Sequence, residues 1–78
     1  MHEIIKRHYV LVNDKMGFCE RLGAVLGITG SAVANRYFGT YLRIPKDNMD
    51  ITLRELKKEL RKQSRQIELT LRLDKEKP

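Results

Sequence analysis

Apolar positions recur at helical spacing through most of the chain and switch to strict alternation only near its end. Ile4, Ile5, His8, Leu11 and Val12 predict a first helix over residues 2–12, although Tyr9, Val10 and Val12 also suit a strand. Asp14 then offers a carboxylate as the N-cap of a second helix, residues 15–26, with Phe18, Leu22, Val25 and Leu26 on one face. Gly27 ends that helix, because glycine accepts the left-handed conformation at little cost. A third helix opens at Thr29 or Gly30, carries Ala32, Val33, Tyr37 and Phe38, and closes at Gly39. Pro45 marks an extended connection, since the residue before a proline avoids the helical region.

Asp50 heads a fourth helix, over about residues 50–64. Thr52 with Glu55 has the spacing of a capping box, and Leu53, Leu56 and Leu60 form the apolar stripe. From Gln66 the period becomes two: Ile67, Leu69, Leu71 and Leu73 alternate with Glu68, Thr70 and Arg72. On a strand the four apolar residues share one face; on a helix they scatter to opposite sides. The expectation is a C-terminal strand over 66–73, with Tyr41–Ile44 as its partner within the chain. A helix running on from Asp50 is the rival, and the final DKEKP should fray. The fold class expected is mainly α with a small β element.

Length allows one domain, 1–78, whose core is small: at 78 residues a chain buries roughly 60% of its unfolded surface. With 41% hydrophobic and 33% charged residues, the composition is globular rather than disordered. No apolar run approaches the roughly 18 residues of a membrane span, and the start shows no secretory signal, so a cytoplasmic location is expected. Cys19 is the single cysteine, which excludes an intrachain disulfide and leaves oligomerisation as the support for a marginal core. A net charge of +6 points to a polyanionic partner, with solubility as the plain alternative.

His2, His8 and Cys19 lack metal-ligand spacing, and Cys19 reads as a packing residue. There is no carboxylate pair, P-loop or dinucleotide turn, and the glycines from Gly23 to Gly30 have the wrong spacing for either phosphate loop. No enzyme activity, cofactor or small-molecule ligand is expected. Tyr37, Phe38 and Tyr41 suit core packing better than base stacking in a chain with five aromatics.

The informative segment is FCERLGAVLGITGSAVANRYFG, residues 18–39. It has a small residue at Gly23, a hydrophobic residue and glycine at Leu26 and Gly27, then Ile28, the polar Thr29 and Ser31, and β-branched Val33. Gly23 allows close crossing of two helices, Gly27 takes a positive φ, and Leu22, Leu26, Ile28 and Val33 fill the angle between them. In this pattern the segment resembles the helix-turn-helix of phage repressors and Cro-type proteins, over about residues 15–38. With Gly39, Ile44, Pro45 and the helix from Asp50, the resemblance extends over about 14–62. One departure is Arg36, which stands where that group usually has an apolar core residue and whose packing role Tyr37 is expected to take.

The resemblance implies a sequence-specific double-stranded DNA-binding regulator, a repressor in the commoner case, acting as a homodimer on a pseudo-palindromic operator. Thr29, Gly30, Ser31, Ala34, Asn35 and Arg36 would then face DNA, although capping and solvation are the competing account of Ser31 and Asn35, and a strong one for Ser31. Lys15, Arg43 and Lys46 are candidate phosphate contacts. So are Arg54, Lys57, Lys58, Arg61 and Arg65, which with Lys62 lie within an arc of about 140° on the fourth helix. A solvated face, with Glu55 and Glu59 pairing to Lys58 and Lys62, is the competing account of that stripe. Ile67, Leu69, Leu71 and Leu73 are the candidate dimer contact. A protein-interaction module of antirepressor or antitoxin type, or an RNA binder, are the other function classes.

Overall fold

Among the described residues the α-helices are α1 (His2–Leu11), α2 (Lys15–Leu26), α3 (Gly30–Ala32) and α4 (Met49–Glu76). A π-helical segment, Val33–Tyr37, continues α3, and a 3-10 turn, Lys46–Asn48, leads into α4. The computed structural model describes residues 2–40 and 42–76, with side chains as far as residue 73; Tyr41 lies outside the described residues.

Local chemistry sets the first boundaries. Asp14 caps α2, its Oδ1 accepting from the Gly17 amide at 3.0 Å. Gly27 ends α2 at φ 76°, and both its amide and that of Ile28 (2.9 Å) donate to the Gly23 carbonyl. Thr29 caps the next helix, its Oγ1 accepting from the Ala32 amide at 3.1 Å. Each of these contacts spans no more than five residues, so the sequence anticipates them.

The core is formed where α1, α2 and the π segment meet the first half of α4. Ile5, Val12, Phe18, Leu22, Val33 and Leu56 are fully or almost fully buried, and Leu26, Ile28, Leu53 and Leu60 pack around them. Tyr9 stacks on Phe38 with ring centroids 3.9 Å apart and planes 5° apart, and Phe18 tilts against both. The first helix therefore turns Ile5 and Tyr9 inward, while Ile4 and Leu11 remain exposed. Val25, expected on the buried face of α2, is 51% exposed.

The C-terminal strand over 66–73 is overturned. Residues 66–73 are helical and belong to α4, and among the described residues there is no strand. Extending an existing helix adds a backbone hydrogen bond per residue without a new nucleus, whereas a strand needs a partner. Leu42–Pro45, the described part of the expected partner and the proline after it, forms no ladder. Leu, Gln, Glu and Arg are good helix formers, and the stretch adds an i,i+4 pair between Glu68 and Arg72 at 3.6 Å.

The capping box is also overturned. Helix α4 begins earlier, over the 3-10 turn, so Thr52 sits inside it, fully buried, with Oγ1 donating to the Asn48 carbonyl at 2.7 Å. Asp50 falls in the first turn, where a carboxylate suits the positive end of the helix.

Candidate nucleic-acid interface

The turn between α2 and α3 is drawn tight by Gly23. A Cβ at that position would lie 2.5 Å from the Ile28 carbonyl oxygen and 3.1 Å from the Thr29 carbonyl carbon. Gly30 faces α2 from the other side of the crossing, where a Cβ would meet the Glu20 backbone at 3.1 Å. The short helix beyond Gly27 is thus held against α2 along one side and free along the other.

On the free side, Thr29, Ser31, Asn35 and Arg36 are exposed. Gly30 and Ala34, placed with them by the sequence pattern, are half-buried: Gly30 at the crossing and Ala34 against the core. Thr29 uses its hydroxyl as the helix cap, so its oxygen already has one partner.

The π segment explains the departure at Arg36. The Phe38 amide donates to the Val33 carbonyl at 3.2 Å, five residues back instead of four. Such a widened turn rotates the following side chains relative to an α-helix. Tyr37 is only 5% exposed and fills the core position, and Arg36 points outward. The Tyr37 hydroxyl accepts from the Asn48 side-chain amide at 2.8 Å, which joins this segment to the entry of α4.

Past the helix, the chain folds back so that the Arg43 amide donates to the Arg36 carbonyl at 3.2 Å. Asn35, Arg36, Thr40 and Arg43 line a surface depression there. Two guanidinium groups and two neutral polar side chains on one concave surface suit an oxyanion such as phosphate. Thr40 carries no signal in the sequence; a lone threonine in a loop gains meaning only once Arg43 returns to Arg36.

The remaining candidates divide. The Lys15 ammonium donates to the Val12 carbonyl at 2.8 Å and the Val10 carbonyl at 3.3 Å, and lies 5.6 Å from the centre of the Tyr9 ring. It therefore serves the end of α1. Lys46 is exposed at the start of the 3-10 turn. Arg54, Lys57, Lys58, Arg61, Lys62 and Arg65 are all exposed on α4. Among the described residues Glu59 pairs with Arg21 of α2, not with Lys62, and no ion pair joins Glu55 to Lys58. Among the described residues no ion pair engages any of these six cations.

Burial raises the Cys19 thiol above its ordinary value. A buried thiol held in its neutral form is a weak nucleophile, in keeping with a packing role. Among the described residues no cluster of His, Cys, Asp and Glu has the makings of a metal site, and no helix is long and apolar enough to cross a membrane. Comparison with family models, with curated proteins and with solved structures finds no match.

Proposed function

We propose that this chain is a sequence-specific double-stranded DNA-binding transcriptional regulator, of helix-turn-helix type, acting in the cytoplasm as a repressor. The observation that carries this reading is the polar free side of the short helix after Gly27, with Ser31, Asn35 and Arg36 exposed and Arg43 brought beside Arg36. A helix presenting short polar side chains enters a major groove about 12 Å wide, where Asn pairs bidentately with adenine. Arg36 and Arg43 hold a flanking phosphate, which fixes register without reading sequence. Two copies on a pseudo-palindromic operator exclude polymerase from an overlapping promoter.

The basic side of α4 supplies further positive potential, which raises affinity for any polyanion. Selection of bound sequences from a random duplex library, with single- and double-stranded RNA as competitors, tests the reading. The expected result is a palindromic consensus that RNA does not displace. Equal affinity for RNA and DNA with no consensus would assign the chain to RNA binding. No affinity for either would assign it to a protein partner of antirepressor or antitoxin type.

A further inference from the structure

Helix α2 stands between the short helix and α4. On one flank Glu20 and Gly23 lie against the start of the short helix: a Cβ on Gly30 would lie 3.1 Å from the Glu20 Cα, and one on Gly23 3.2 Å from the Gly30 nitrogen. On the other flank Arg21 pairs with Glu59 of α4, and Phe18 lines a cleft with Glu55 and Glu59. At 100° per residue, Arg21 falls about 130° around α2 from the midpoint of Glu20 and Gly23. The short helix and α4 each turn an inner side toward α2 and the core. Their free sides therefore face different sides of the molecule, and one straight duplex does not lie along both.

The free side of α4 is uniformly basic. Leu56, fully buried, falls about 170° from the middle of the arc that holds Arg54, Lys57, Lys58, Arg61, Lys62 and Arg65. Between residues 54 and 65 every position on that arc is Lys or Arg, and all six side chains are exposed. Lys58, Arg61, Lys62 and Arg65 line one shallow depression with no acid among them. The acids of this stretch stand outside the arc, and Glu59 is engaged by Arg21.

We propose that this side of α4 is a second nucleic-acid surface, which holds the phosphate backbone of a separate duplex while the short helix holds the operator, so that the protein links two duplexes. The link rests on the operator reading; the α4 surface does not. From Arg54 to Arg65 the helix rises about 17 Å, and a duplex carries one negative charge per about 1.7 Å of its axis, about ten over that length. The arc offers no apolar side chain to bury, whereas the core of a protein interface is apolar and poor in lysine. It offers no aromatic ring on which unpaired bases could stack, which favours a duplex over a single strand. Contacts of this kind go to phosphates alone, so the second duplex is held whatever its sequence.

Titration of the full chain into a fluorescent mixed-sequence duplex tests the α4 surface without an operator. Lys57→Gln with Arg61→Gln and Arg65→Gln, three exposed positions, should keep the wild-type unfolding transition and lower the slope of log K against log salt by about 2.7 on that duplex. Arg36→Ala with Arg43→Ala should keep the wild-type slope there. On a lone operator α4 faces water, so the triple variant should bind it as the wild type does. Operator duplex fixed to beads and loaded with wild type should then retain a fluorescent duplex that lacks the operator; beads loaded equally with the triple variant should retain none. An unchanged slope for the triple variant on the mixed-sequence duplex, or loaded wild-type beads that retain no second duplex, would overturn the proposal. Displacement of the second duplex by polyglutamate at equal charge would overturn it in favour of an acidic protein partner. Beads that load no protein would count against the operator reading, and the mixed-sequence titration would still decide on α4.

Discussion

The side-chain amide of Asn48 donates to the hydroxyl of Tyr37 at 2.8 Å, and this bond closes the globule between the π segment and the start of α4. Tyr37 occupies the core only because the widened turn brings it there, so the bond and the turn depend on each other. Tyr37→Phe keeps the ring and removes the acceptor, and should cost about 1 kcal/mol. Tyr37→Ala adds a cavity and should cost about 3–5 kcal/mol. Urea unfolding of both, with Asn48→Ala and the double variant, gives the coupling. A coupling near zero would mean that the bond contributes nothing to joining the two elements.

Stability should fall in the alkaline range because of Tyr9 and Cys19. Burial, with the neighbouring thiol, pushes the Tyr9 phenol from 10.0 up to about 12, and burial pushes the Cys19 thiol above 9.0. In both, folding favours the neutral form. Their stabilisation is therefore complete below the unfolded values and vanishes as pH rises through the folded ones. Urea midpoints should decline from about pH 9 toward pH 12, and Tyr9→Phe should flatten the upper part of that decline. An unchanged slope in Tyr9→Phe would mean that the phenol titrates alike in the folded and unfolded chain.

Features encoded within a few residues were legible in the sequence. Asp14, Gly27 and Thr29 sit at their helix ends because each contact is satisfied nearby, and Leu22, Val33 and Leu56 are buried as their spacing requires. The candidate site was legible in part: Ser31, Asn35 and Arg36 share an exposed side, whereas Gly30 and Ala34 are drawn toward α2 and the core. The tail misled because alternation in a Leu-rich stretch of good helix formers mimics a strand, and helix continuation costs no new nucleus. The bonds of Gln63 to Leu11 and Asn13, and the return of Arg43 to Arg36, left no sequence signal; both are set by tertiary packing.

Gly23 and Gly27 should differ in how they fail. Gly27→Ala meets open space but imposes a positive φ on an L-residue, at about 1–2 kcal/mol. Gly23→Ala drives a methyl into backbone 2.5 Å away, and neither Ile28 nor Thr29 can move without opening the crossing. It should cost about 1–3 kcal/mol and also displace the short helix. Operator affinity corrected for folded fraction separates the two: Gly27→Ala should retain it and Gly23→Ala should not.

Asn35 and Arg36 are neighbours with different proposed tasks. Asn35→Ala removes a base contact worth about 1–3 kcal/mol of discrimination and should relax one position in each half-site. Arg36→Ala should weaken every sequence to a similar degree. Repeating the selection with each variant is the check. An unchanged consensus for Asn35→Ala would move the reading surface away from the free side of this helix.

Salt dependence distinguishes the two basic regions. Removing one cation that neutralises a phosphate should reduce the slope of log K against log salt by about 0.9. Arg36 and Arg43 line one depression, and in the proposed DNA-binding reading they face the same phosphate region. Arg36→Ala with Arg43→Ala should therefore flatten the slope by about 0.9 to 1.8, for one phosphate shared or two held separately. Lys57, Arg61 and Arg65 are exposed on α4 and are not paired to acids of their own helix among the described residues. Neutralising all three should flatten the slope by about 2.7 if α4 tracks the DNA backbone. If the slope holds while affinity stays high, α4's basic side is solvated, and the Arg36–Arg43 depression alone carries the phosphate grip.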